Sequence, residues 1–374
     1  MEVPARQSEA PTSPSRSTQP SSSGCASPST RLSTTADKFR PPEPLSLNST
    51  LRAHSRTRLY VNPLYWTSQH LLLLDCRFVR EKAILQTETK TQSADAQVSK
   101  LDQSSPEERR AQEFSSANIS SAARRLRHSR ASWVKTEVVQ QILELYGLYH
   151  DCFRPHSLKL SFQFNKQHAA FVRTDGIFST APSKTAVLDI AYLDLTLVAS
   201  RRRRSIYGPP SSSRRRFNLL VNRLLEKKHR RVKPENKLKD PFIVATLIAL
   251  AQDQRYKRNL NRTAPELEDP TSSESSTKPI QDTENPDPES TTFFEVHLLA
   301  LPTIDAPHLY HYTARFSAAF LDRFDQPSRY FPSDQAHIHI SRIPLAPTKE
   351  FVRSMSRAVD NIKRAGARLD SGVD

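Results

Sequence analysis

Two short triplets in the chain could do paired acid–base chemistry: His311-Tyr312-Thr313 and His339-Ile340-Ser341. A strand that alternates sides aims a histidine, and the hydroxyl two residues on, at one ligand. Two such triplets can hold a phosphate between them, one imidazole taking a proton while the other gives one. The chemistry would be phosphodiester cleavage, with His311, Thr313, His339 and Ser341 as its groups. The pattern alone assigns nothing. Twelve histidines in a chain rich in Ser and Thr produce such triplets by chance, and a separation of 28 residues is short for two halves of a symmetric site.

The other constellations are weaker. His337 and His339 share a strand face and form a metal pair on paper, but no cysteine or third ligand stands near in sequence, which favours a solvated strand edge. Asp189, Asp194 and Glu295-Val296-His297 loosely match the carboxylate set of a metal-dependent nuclease. That chemistry needs an acid and a lysine two residues apart, and His297 stands where the lysine should be. Tyr310 and Tyr312 could stack bases, yet the Lys/Arg-Gly-Phe consensus of RNA-binding sheets is missing, so core packing is the expected role. Only six glycines occur, and none are spaced to cradle a phosphate, which excludes Walker, dinucleotide and kinase-type loops. No catalytic residue, metal or small-molecule cofactor is therefore assigned, and the reading leans away from an enzyme.

Charge says more. Thirteen Lys and Arg fall between Arg201 and Lys233 against one acid, Glu226, so that block carries +12 of the formal +16. Cations packed this densely repel unless salt or an acidic partner offsets them. The contact residues expected are Arg201, Arg202, Arg203, Arg204, Arg214, Arg215, Arg216, Arg223, Lys227, Lys228, Arg230 and Arg231, with nucleic acid or an acidic protein as partner. Arg203-Arg204 and Arg214-Arg215-Arg216 also approximate a bipartite signal for a nuclear import receptor, which takes two extended cationic clusters. Within the block, Phe217, Leu220, Val221, Leu224 and Leu225 recur at helical spacing, so its second half reads as an amphipathic helix whose apolar stripe packs on the core. A calmodulin-type target is the lesser reading of such a helix.

Composition divides the chain. Residues 1–57 are a Ser/Pro-rich tail with too few apolar side chains to offset the entropy of ordering. Residues 58–86 form an apolar segment that docks on the core, and 87–130 a polar linker. The core domain is expected over 131–365, interrupted by an acidic insertion at 263–292 with a net charge of −7, and 366–374 is a disordered end. Three cysteines lie far apart, so neither a disulfide framework nor a CxxC zinc site is offered. The N-terminus has no apolar run of a secretory kind, and the longest apolar stretch, residues 242–251, is half of what spans a bilayer. The expected partners include no membrane, and the expected location is the nucleus, with the cytoplasm as alternative.

The elements follow from periodicity. Residues 133–149 show a 3.6-residue rhythm and predict a helix. Residues 158–164 alternate and predict a strand, with 170–173 as its partner, and 186–198 reads as a longer strand with Leu193, Leu195 and Leu197 on one face. Asp240 and Pro241 open a buried helix as cap and first residue. Strands over 293–301, 309–316 and 337–343 and helices over 318–324 and 348–364 complete the set. Strands in runs with helices beside them predict a single α+β domain of mixed, mostly antiparallel sheet with packed helices, plus long disordered segments.

The blocks Asp240-Pro241-Phe242-Ile243-Val244-Ala245, residues 296–302, Leu309-Tyr310-His311-Tyr312-Thr313-Ala314-Arg315 and Ala319-Phe320-Leu321-Asp322-Arg323-Phe324 resemble a group of filamentous-fungal proteins without assigned activity. The resemblance covers residues 130–350 and implies a shared domain and no functional residue. The functional expectation is thus a nuclear, non-enzymatic binding or adaptor protein, with a phosphodiester-acting enzyme as the alternative.

Overall fold

Strands of nine and ten residues at the centre of a seven-stranded sheet dictate the architecture, seen in a computed structural model that describes residues 41–57, 59–80, 118–150, 158–180, 189–208, 218–263 and 292–370. In chain order the strands are β1 (Cys76–Arg80), β2 (Tyr149–His150), β3 (Lys159–Phe164), β4 (Gln167–Arg173), β5 (Gly176–Ser179), β6 (Asp189–Asp194), β7 (Phe293–Leu301), β8 (His308–Ser317) and β9 (Ala336–Pro344). The main sheet runs β1-β9-β8-β7-β6-β5-β2, and β3 and β4 form a separate hairpin. Among the described residues, only β1 with β9 and β6 with β7 pair in parallel. The fold is α+β with a mostly antiparallel sheet, as the sequence predicts.

The helices are α1 (Leu47–Ala53), α2 (Ser68–Leu73), α3 (residues 118–128), α4 (Ser132–Leu145), α5 (Leu195–Tyr207), α6 (Leu219–Val232), α7 (Pro241–Thr263), α8 (Ala318–Asp325) and α9 (Thr348–Asp370). They cover the sheet on both sides. Phe294, Val296, Leu298, Tyr312, Ala314, Ile338 and Ile340 pack one face against α2, α7, α8 and the β3–β4 hairpin. Leu299, Leu301, Leu309, Ile343, Tyr192 and Ile190 pack the other against α3, α4 and α9. The all-round apolar stretch Phe242–Ala251 is buried throughout, and the Asp240 carboxylate caps it by accepting the Phe242 N–H at 2.9 Å.

Three expectations are corrected. Residues 186–198 are not one strand: β6 ends at Asp194, whose side chain caps the new helix α5 by accepting the Thr196 N–H at 2.9 Å. The run of Leu193, Leu195 and Leu197 therefore straddles a strand-to-helix junction. Part of the polar linker belongs to the core, because α3 buries Ile119, Ala123 and Leu126. The end of the Ser/Pro-rich tail is also folded: the Glu43 and Asn48 N–H groups donate to the Ser328 and Pro327 carbonyls at 2.9 and 2.8 Å, anchoring α1. Residues 1–40, most of the linker, nearly all of the acidic insertion and residues 371–374 lie outside the described residues. The described residues from Pro42 onward cluster as one compact unit. Among the described residues, no helix is long and apolar enough to cross a membrane.

Candidate functional site

The basic block is split by the fold into cations that build the protein and cations that face water. Leu195 and Val198 anchor α5 on the core, and Gly208 ends it in the left-handed region (φ 80°), with its N–H donating to the Arg204 carbonyl at 2.8 Å. Arg201 points inward, donating to the Asp175 carboxylate and to the Arg173 carbonyl at 3.0 Å. Arg202 is buried, donating through both Nη atoms to the two oxygens of Asp240 at 2.9 Å and through Nε to the Leu64 carbonyl at 2.8 Å. Neither residue is a free surface contact, and Arg202 leaves the expected contact set altogether. Arg203 and Arg204 are exposed.

Helix α6 pairs with α5 at its C-terminal end, where the Tyr207 and His229 rings lie 5.8 Å apart. Arg223, Lys227, Lys228, Arg230 and Arg231 are exposed along it, with Arg230 only 3.4 Å from Glu226 as an i,i+4 pair. Lys228 sits 5.6 Å over the Tyr65 ring, and Tyr65 in turn shares a hydrogen bond with Ser205 of α5. Arg214, Arg215 and Arg216 lie outside the described residues. The first half of the import-signal pattern, Arg203 and Arg204, is exposed but helical, whereas a receptor groove takes extended chain.

The apolar stripe of α6 does not pack on the core, contrary to expectation. Leu219, Leu220, Val221 and Leu224 are exposed by 51, 69, 48 and 66%. The helix instead leans on Asn222, Leu225, His229 and Val232, its half-buried positions. Its first half thus presents leucines outward and its second half cations. This juxtaposition could not be read from spacing, which shows that a helix is amphipathic but not which side meets the domain.

The histidine triplets come together on the opposite layer. In the β8–β9 ladder His311 faces Ser341 and Thr313 faces His339. Facing residues of an antiparallel pair share a sheet face, so the four form a square. His297 joins it from β7, opposite Thr313. The His297 and His311 rings stack 5.4 Å apart at 17°, with His311 Nε2 3.3 Å from His297 Nδ1, and the Thr313 hydroxyl lies 3.4 Å from the same nitrogen. His297 Nε2 is buried without a hydrogen-bond partner among the described residues, 3.8 Å from Glu295 Oε1, and Arg315 Nε stands 3.9 Å from the other Glu295 oxygen. Burial drives the His311 pKa down to about 4, and burial plus the neighbouring His311 drives His297 well below its usual range. Both imidazoles are neutral at pH 7. His337 and His339 are exposed.

The nuclease-like carboxylates do not converge. Asp194 lies opposite Leu301, six residues along β7 from Glu295, which is about 20 Å at strand rise. Asp189 stands opposite Ser179 at the start of β6. Asp194 is instead buried, accepting from Lys135 Nζ at 3.1 Å and the Ser132 hydroxyl at 3.0 Å. Among the described residues no three His, Cys, Asp or Glu side chains are placed to hold a metal ion, so His337 and His339 gain no third ligand. Tyr312 is buried, its hydroxyl donating to the Leu238 carbonyl at 3.0 Å, so it stacks on no base. Sequence reasoning missed His297 as the third histidine of the square and Lys135 as the partner of Asp194; only strand register and helix placement join them. Set against protein-family models, curated proteins and solved structures, the chain matches none, and its function has to be read from its own geometry.

Proposed function

We propose that the protein is a non-enzymatic binding or adaptor protein that engages an acidic partner through the α5–α6 hairpin. One observation carries the reading: α6 turns outward both its leucines and its cations, with Glu226 its single acid. Exposed apolar side chains beside a cationic run suit an acidic protein segment with apolar side chains of its own, since a phosphate backbone offers nothing for Leu220 and Leu224 to bury against. Nucleic acid, contacted by the cations alone, is the neighbouring possibility within the same class. A nuclear location belongs to this proposal and rests on Arg203, Arg204 and Arg214–Arg216.

The test is fluorescence anisotropy against an acidic amphipathic helical peptide, and against mixed-sequence DNA and RNA, over a salt series. Lys227→Glu with Arg231→Glu should abolish binding of either probe. Leu220→Ser with Leu224→Ser should abolish peptide binding and spare nucleic acid. Binding to neither probe, or binding indifferent to salt, sinks the proposal.

The square formed by His311, Thr313, His339 and Ser341 favours a second reading, a phosphodiester-acting enzyme. His311 would take the proton of an attacking water as its oxygen bonds to phosphorus, and His339 would give a proton to the departing oxygen. A histidine kept neutral down to about pH 4 cannot be the acid at pH 7 and is a weak base, which limits what this site can deliver. Absence of turnover on 2′,3′-cyclic nucleotides and bis-nitrophenyl phosphate would remove it.

A further inference from the structure

Between the N-terminal arm, residues 47–74, and the β3–β4 hairpin lies a cavity of about 190 Å³. Trp66, Phe162, Phe164, Phe324, Leu47 and Leu74 are among the residues that line it. We propose that it is a binding site for an uncharged, apolar ring compound, a function separate from the α5–α6 surface.

Its wall is mainly apolar, and three of its polar side chains, His70, Thr50 and Asn62, already bond to the protein's own backbone. His70 Nδ1 accepts the Thr67 N–H at 3.0 Å, which leaves Nε2 to donate to the Leu59 carbonyl at 3.2 Å. The Thr50 hydroxyl donates to the Ser46 carbonyl at 3.0 Å, and Asn62 Oδ1 accepts the Leu64 N–H at 3.0 Å. Among the described residues, no charged side chain lines the space. A ligand bearing a charge would lose its hydration there and gain no partner.

Size and shape narrow the class. Apolar cavities near 150 Å³ admit benzene, so this one has room for a substituted ring or two fused rings. Trp66 with Phe162 and Phe162 with Phe324 meet edge-on at 87°, with centroids 5.5 and 5.7 Å apart. That arrangement leaves ring faces and edges available to a further aromatic group. Two parts of the chain distant in sequence, the arm and the hairpin, build the wall together, so an occupant would also tie one to the other.

The chain's two tryptophans allow a direct test: Trp66 is 6% exposed and lines the cavity, whereas Trp133 is 72% exposed. In full-length protein carrying Trp133→Phe, toluene should shift Trp66 emission saturably. Benzoate, the same ring with a charge, should bind at least about tenfold more weakly. Ala170→Leu, which fills the space from β4, should weaken toluene binding at least about tenfold. As a readout that does not depend on that variant folding, the methyl resonances of Leu47, Leu51, Val61 and Leu74 in the unaltered chain should move together on titration. The proposal is overturned if toluene gives no saturable change, if benzoate binds equally well, if Ala170→Leu leaves binding intact in a folded chain, or if the perturbed methyls lie elsewhere.

Discussion

Arg202 and Asp240 are locked together in the interior, two parallel hydrogen bonds of 2.9 Å joining a guanidinium and a carboxylate that are each almost wholly buried. Asp240 also caps α7, so one carboxylate ties the basic helix α5 to the central helix of the domain. The most cationic stretch of the sequence is thus held to the fold by one of its own members.

Arg202→Ala should therefore behave unlike its neighbours. It strands a buried carboxylate and should cost about 3–5 kcal/mol of unfolding free energy. Arg203→Ala and Arg204→Ala remove exposed cations and should stay within about 0.5 kcal/mol. Urea denaturation of the three variants separates these outcomes, and equal effects would deny the partition of the block into inward and outward cations.

Much of the fold was legible and the reason is local. β7, β8, β9, α8 and α9 follow from alternation and helical rhythm, and α7 from Asp240-Pro241 and its apolar run. What failed involved partners distant in sequence. Ala186–Val198 alternates like a strand, but Asp194 is needed as a cap and a Lys135 partner, and the chain turns helical there. The two His triplets were visible, but nothing in their spacing says that β8 and β9 are neighbours with His311 opposite Ser341. Facing of α6 was likewise invisible, because periodicity gives an apolar side without saying what covers it.

That exposed stripe makes a prediction opposite to the usual one for leucines. Leu220→Ser and Leu224→Ser remove no core contact, so each should change stability by no more than about 0.5 kcal/mol. Leu247→Ser in α7, at a fully buried position, should cost several times more, about 3 kcal/mol or above. Thermal melts of the three variants decide whether α6 is docked as described. A large loss in Leu224→Ser would mean that this side of the helix is covered.

Lys135 and Asp194 form a second buried pair at 3.1 Å. Burial opposes the Asp194 charge, but hydrogen bonds from Thr196 and the Lys135 ammonium outweigh it and hold the carboxyl below its usual range. Lys135→Met leaves that carboxylate without its cation and should cost about 3–5 kcal/mol. Adding Asp194→Asn removes the stranded charge while keeping a capping side chain, and should restore at least about 1 kcal/mol. Without any such recovery in the double variant, the loss in Lys135→Met would be one of packing and not of charge.

The stacked pair His297 and His311 sets an acid limit whose sign can be worked out. Both have folded pKa values below the ordinary 6.5, His311 at about 4, because burial penalises the imidazolium. Between these values the unfolded chain binds protons that the folded chain does not, so stability rises with pH there. The pair's contribution is intact above pH 6.5 and is lost as pH falls from 6.5 toward 4. His311 alone accounts for about 3 kcal/mol over that window. The Glu295 carboxylate, 3.8 Å from His297 Nε2, favours an imidazolium there, and the Arg315 guanidinium beside it opposes one. Urea midpoints measured at pH 7 and pH 4.5 should fall steeply in the native sequence and much less in His311→Gln, whose amide can replace the hydrogen bond without titrating. Equal acid sensitivity in both proteins would place the titrating groups elsewhere and leave the buried pair with no part in it.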